Sequence, residues 1–174
     1  IGCVPILKKT NIKINNNGLI VIHPGSNDYR RSWPEKKWVK LIYLLVKNFS
    51  VGIVKVPESL ELIKKIKKNE NNIEIFQGDL VNFKLWLEKQ KILIGVDSMA
   101  GHLAAEIGIP SISIFGSQNP LLTCPLGEYS EIITPLNKCI HKRDHWRLCF
   151  YCMDEINEEI VYNFVKKIII KIKK

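Results

Sequence analysis

Ile92-Leu93-Ile94-Gly95-Val96-Asp97-Ser98-Met99-Ala100-Gly101-His102-Leu103-Ala104-Ala105 is the stretch from which the fold is read. Ile92 to Val96 is apolar at successive positions, as in a strand buried on both faces. The small and apolar residues that follow suit a helix from about Met99 to Ile107. Asp97, Ser98 and, one turn on, His102 surround the junction. In an α/β protein the carboxyl end of a strand is where a ligand binds.

Outward from this segment, strand and helix signals alternate, which argues for βαβ units and a mostly parallel sheet. Gly18 to Ile22 is a first strand, ending at His23-Pro24-Gly25-Ser26. A helix follows from Pro34, with Trp38, Leu41, Ile42 and Leu45 on one face. Strands at Val51–Val56 and Ile73–Phe76 alternate with helices at Leu60–Lys68 and Leu80–Lys89. A fifth strand covers Ser111–Phe115 and a sixth is expected at Glu131–Thr134. The last helix, 157–173, starts at Asn157 as cap, with Glu158 and Glu159 in its first turn. Its stripe of Ile160, Val161, Phe164, Val165, Ile168, Ile169 and Ile172 recurs at helical spacing and should pack on a core. We therefore expect an α/β fold: a single Rossmann-like, doubly wound, mostly parallel sheet with helices on both faces.

In the strand order 3-2-1-4-5-6, strands one and four are neighbours whose connections leave on opposite faces and open a crevice. The loops after Ile22 and after Val96 are its two lips. Gly25 lets backbone approach a ligand, and Ser26 offers a hydroxyl. Arg30 and Arg31 carry guanidinium groups that fit phosphate oxygens. The helix after Ser98 presents free N–H groups to an anion. A diphosphate between the loops follows. Asp97 would repel a phosphate, so we expect it to hold its loop through backbone N–H groups. Asp97 or Ser98 equally suits a helix cap, and His102 equally suits a packing role. Glu58, just past the second strand, stands where an acid usually reaches a ribose hydroxyl, although the G-x-G-x-x-G dinucleotide spacing is absent.

The chain of 174 residues suits one domain, with 46% hydrophobic and 25% charged residues. No apolar run approaches the roughly 20 residues of a membrane span, and no signal-peptide pattern opens the chain. We expect a cytoplasmic protein, with peripheral association at the inner membrane as an extension. The net charge of +9 raises a nucleic-acid-binding alternative. The lysines are spread along helices as solvated faces, so no specific nucleic acid is expected.

His23-Pro24-Gly25-Ser26 with Arg31-Ser32-Trp33-Pro34-Glu35, and Asp97-Ser98-Met99-Ala100-Gly101-His102 with Gly108-Ile109-Pro110 and Phe115-Gly116-Ser117, resemble two elements of the lipopolysaccharide heptosyltransferases. These are glycosyltransferase family 9 enzymes of GT-B architecture. The resemblance covers about residues 19 to 156 and points to the donor-binding half. It implies an inverting transfer from a nucleotide-diphosphate-sugar similar to ADP-heptose, with no cofactor required, in the synthesis of bacterial surface glycans. It also implies that Gly25, Ser26, Arg31, Glu58, Asp97, Ser98, Met99 and His102 surround the donor. Arg31 would stabilise the leaving diphosphate. Met99 departs from the glycine that the family usually has there. Residues 1–17 resemble the remnant of an interdomain linker, with 18–174 as the nucleotide-sugar-binding domain. The N-terminal domain, which would bring a glycan or lipid-linked acceptor and the catalytic base, is then missing, and we expect the chain to be inactive alone. A non-catalytic nucleotide-binding or protein-interaction module is the alternative.

Four of the five cysteines fall late, in the loop 124–152. Cys149 and Cys152 form a C-x-x-C pair that can reach one tetrahedral metal ion, and Cys124 and Cys139 offer two more thiolates. His141 and His145 are spare ligands. Relatives in the family include iron-binding members with cysteine clusters before the final helix. A structural zinc or iron is therefore a candidate, and reduced thiols closing a loop are the alternative.

Overall fold

The computed structural model describes residues 15–66, 72–137, 139–140 and 149–172. Residues 1–14 of the expected linker, Lys67 and Lys68 at the end of the second helix, His141, His145 and residue 173 lie outside them.

Six short strands form one all-parallel sheet in the order 3-2-1-4-5-6: β1 (Ile20–His23), β2 (Val51–Val54), β3 (Ile73–Phe76), β4 (Ile92–Val96), β5 (Ser111–Ile114) and β6 (Ser130–Ile133). β1 and β4 are the central pair, with Val21 opposite Leu93 and His23 opposite Gly95. Alternate residues of β1 and β4 enter two separate cores, so Ile20–Ile22 and Ile92–Ile94 are apolar at successive positions. Ile20, Ile22, Ile53, Ile94 and Ile112 face α1 (Glu35–Leu45), α2 (Leu60–Ile66) and α7 (Glu158–Ile172). Val21, Val54 and Leu93 face α3 (Leu80–Leu87) and α4 (Met99–Ile107). These residues are almost wholly buried. Truncating an isoleucine such as Ile22 to alanine in so dense a layer costs about 2–5 kcal/mol.

The expected apolar faces are the buried ones: Trp38, Leu41, Ile42 and Leu45 on α1, and Val161, Val165 and Ile168 on α7. Asn157 caps α7, its Oδ1 accepting from the Glu159 N–H at 2.7 Å. α4 closes on Gly108, whose φ of 79° is a conformation that favours glycine. The Gly108 N–H then bonds the Ala105 carbonyl and the Ile109 N–H that of Ala104. Those two bonds turn the chain directly into β5. Two further short helices, α5 (Pro120–Thr123) and α6 (Tyr151–Asp154), lie in the connections after β5 and β6.

Among the described residues, several lysines are paired with nearby acids. Lys64 pairs with Glu61, Lys65 with Glu35, Lys84 with Glu106 and Lys167 with Glu131. Among the described residues no helix is long and apolar enough to cross a membrane.

Candidate functional site

Because β1 and β4 are adjacent and parallel, their exits leave the same end of the sheet side by side. Between them, and walled on the third side by Val56, Pro57 and Glu58 after β2, is a cavity of about 390 Å³. Seven of the eight expected donor residues line it: Gly25, Ser26, Arg31, Glu58, Asp97, Ser98 and Met99. His102, one turn further along α4, is exposed and is not part of that lining.

Short-range bonds set the first lip. The Ser26 Oγ accepts from the Asp28 N–H at 3.3 Å, which leaves the hydroxyl proton free to donate outward. Asp28 caps a single 3₁₀ turn, Tyr29–Arg31, and takes a two-pronged hydrogen bond from Arg30, at 2.9 and 2.8 Å. That side-chain bond holds the Asp28 carboxyl down at about 2. Arg30 is thereby engaged by its own loop. Arg31 is the one that turns inward.

Arg31 reaches across to the second lip, where its Nη1 donates to the Asp97 Oδ2 at 3.4 Å. Asp97 was expected to hold its own loop through backbone N–H groups. Its side chain, 7% exposed, instead anchors the guanidinium from the opposite wall. At 3.4 Å the contact is longer than a tight charge-assisted bond, so Arg31 keeps donor capacity for a ligand.

Ser98 precedes α4 with extended backbone, the geometry of a cap, yet its side chain makes no capping bond. Its Oγ is buried without a hydrogen-bond partner, as are the Arg31 Nε and the His23 Nδ1. An unsatisfied buried polar atom costs roughly 1–3 kcal/mol. Three in the walls of one cavity amount to unused hydrogen-bonding capacity at the point where the α4 N-terminus also favours an anion.

Glu58 sits on a 3₁₀ turn, Pro57–Ser59, that Ser59 fastens by accepting from the Val56 N–H and donating to the Val56 carbonyl, both at 2.9 Å. A Cβ on residue 25 would lie 3.1 Å from the Val56 Cγ2, 3.2 Å from the His23 Cε1 and 3.4 Å from the Glu58 Oε2. Glycine at 25 is thus what lets the two loops approach.

Behind the first lip, Trp33 packs edge-on against Trp38 at 4.8 Å and donates its indole N–H to the Ile156 carbonyl at 3.1 Å. Lys37 bonds the carbonyls of Asp154 and Ile156 at 2.6 and 2.9 Å. The cysteine-bearing segment is tied in this way to the arginine loop.

The sulfur atoms of Cys139, Cys149 and Cys152 lie within 4.8 Å of one another. The last two are buried, and the Cys149 N–H is held by the Ser117 Oγ at 2.6 Å. Burial, followed by hydrogen bonds from Cys139 and Cys149, pushes the Cys152 thiol up. Cys124 ends α5 and stands outside the cluster. Spacing alone could not exclude it, because the β6 connection decides which thiols meet.

His23 and Asp28 were not among the expected site residues. The only sequence signals were a histidine at the end of an apolar strand and an acid two residues before an arginine.

The model of glycosyltransferase family 9 (heptosyltransferase) matches residues 5–149. Lipopolysaccharide heptosyltransferase 1 of Campylobacter coli is 28% identical over 162 residues, which are 88% of this chain and 47% of that protein. The E. coli heptosyltransferase WaaC, solved with ADP, superposes with a TM-score of 0.71 at 19% identity, covering 91% of this chain and 46% of WaaC. The iron-containing dodecameric glycosyltransferase TibC from enterotoxigenic E. coli superposes with a TM-score of 0.64 at 15% identity, covering 95% of this chain and 50% of TibC. The chain therefore spans about half the length of these relatives, and its fold matches one half of the solved two-domain structures. With the family match running over residues 5–149, most of its length, the chain belongs to glycosyltransferase family 9, the heptosyltransferases.

Proposed function

We propose that this chain is the donor half of an inverting glycosyltransferase and that the cavity between β1 and β4 holds the diphosphate of a nucleotide-sugar. The observation that carries this reading is the pair of unsatisfied buried donors on opposite lips, Arg31 Nε and Ser98 Oγ, beside the α4 N-terminus. Glu58 would take the ribose hydroxyls, and Met99, half-exposed at the rim, would lie toward the sugar. WaaC was solved with ADP and with an ADP-2-deoxy-2-fluoro heptose, which supports ADP-heptose as the donor class here.

In the reaction, an acceptor hydroxyl displaces the nucleoside diphosphate from the anomeric carbon. Charge builds on the departing phosphate. Arg31, Ser98, Ser26 and the helix N-terminus would stabilise it with donors already oriented, which is the arrangement that lowers such barriers. The acceptor glycan and the base belong to the half that this chain does not span. A calorimetric titration with ADP, UDP and GDP tests the reading. Micromolar to low-millimolar binding of at least one of them supports it, and no binding of any of the three overturns it.

The thiol cluster fits a structural metal. Three sulfurs within 4.8 Å match the spacing of ligands about 2.3 Å from one tetrahedral ion. Cys139, Cys149 and Cys152 would hold zinc or iron, and TibC is described as iron-containing. Such an ion would cross-link the loop between β6 and α7.

A further inference from the structure

Resting on that reading of the cavity, we propose that the imidazole of His23 is a direct ligand of the bound diphosphate and takes up a proton as the nucleotide binds.

His23 ends β1, the central strand, and its ring reaches the cavity. It is 9% exposed, and Nδ1 is one of the three unpartnered buried atoms there. No hydrogen bond or ion pair fixes the ring to any described side chain. It is packed by the Phe83 ring 5.7 Å away on one side and by the tight approach of Gly25 at Cε1 on the other. Gly95 leaves room for its root, since a Cβ there would meet the His23 carbonyl at 3.1 Å. The first loop is thus built around an imidazole whose buried Nδ1 has no hydrogen-bond partner.

The charged groups around the ring set its response. Burial pushes the imidazole below its ordinary value, and its own backbone and then Glu58 oppose this only in part. Arg31 on the first lip adds positive charge, and Asp97 on the second is already engaged by that guanidinium. From α3 the uncharged Phe83 ring packs against it. In the free protein burial therefore favours the neutral imidazole. Placing two phosphate charges beside it favours the imidazolium, whose two N–H groups both donate. By linkage, a group whose pKa rises on binding takes up protons, and affinity grows as pH falls through the bound-state pKa and levels off below the free-state one.

The probe is ADP-glucose. Its phosphates are both diesters, so it lacks the second phosphate ionisation near 6 that would release or absorb protons itself. Titration calorimetry at pH 7 in two buffers of different ionisation enthalpy reads the protons taken up per nucleotide bound. The expected result is a fractional uptake for the native chain, growing between pH 8 and pH 6, and essentially none for His23→Gln. Thermal melting checks that His23→Gln is folded. Binding of ADP-glucose with no proton uptake, or with equal uptake in His23→Gln, overturns this inference and leaves the nucleotide site standing. No binding of ADP-glucose or of ADP overturns both.

Discussion

Arg31 and Asp97 lie 66 positions apart in the chain and meet across the crevice at 3.4 Å. Their pairing joins the two lips of the cavity and aims the guanidinium into it.

Arg31→Lys should separate anchoring from recognition. Lysine keeps a positive charge near Asp97 but loses the planar fork that suits phosphate. ADP affinity should fall about tenfold, the equivalent of ~1.4 kcal/mol, with melting little changed. Arg31→Ala should cost more affinity and lower the melting temperature as well, because it leaves the Asp97 carboxylate buried without its partner. Calorimetry and thermal melting on the two variants read both effects.

Ser98→Ala distinguishes a cap from a ligand group. Loss of a working N-cap costs about 1 kcal/mol, or roughly 2–4 °C in a domain of this size. Ser98 makes no cap bond, so the melting temperature should stay within about 1 °C, while ADP affinity drops about fivefold or more. A large melting loss with unchanged affinity would show a structural serine.

Metal content should follow the cluster and not the full cysteine count. Protein purified without chelator should carry close to one equivalent of zinc or iron by elemental analysis. Cys149→Ser or Cys152→Ser should lose it, and Cys124→Ser should keep it. Loss of metal on Cys124→Ser would mean that the thiols reorganise around the ion.

Acid should loosen the first lip at a defined point. Asp28 is held at about 2 in the folded chain against an ordinary 3.8, chiefly by Arg30. A depressed carboxyl stabilises fully above the unfolded value and loses that contribution as pH falls through the folded one. The window is therefore about pH 4 down to 2. The pair is partly solvated, so the effect should be about 0.5 kcal/mol. Denaturant unfolding at pH 5 and at pH 2.5 should show a smaller acid loss for Asp28→Asn than for the native chain.

The sheet was legible because strands such as Ile92–Val96 are apolar at every position and the helices carry their stripes at helical spacing. Gly25, Ser26 and Arg31 could be placed in one crevice because the strand order fixes where loops converge. The role of Asp97 could not be read, since its partner comes from another βα unit and only tertiary packing brings the two together. Arg30 and Arg31 look alike in sequence. Asp28, two residues upstream, separates them by occupying one. The composition of the thiol cluster depended on a connection without local periodicity, so Cys124 could not be told from Cys139.

The bonds from Trp33 and Lys37 to the Ile156 carbonyl bear on where this unit can be divided. The match to the family model ends at residue 149, but the folding unit continues. α7 supplies Val161, Val165 and Ile168 to the core that α1 also covers, and its entry is fastened beside the arginine loop. A chimera exchanging donor halves between heptosyltransferases would therefore have to carry the segment from Cys149 to Ile172 with the rest. Left behind, that segment would take one wall of the core and the footing of the Arg31 loop with it.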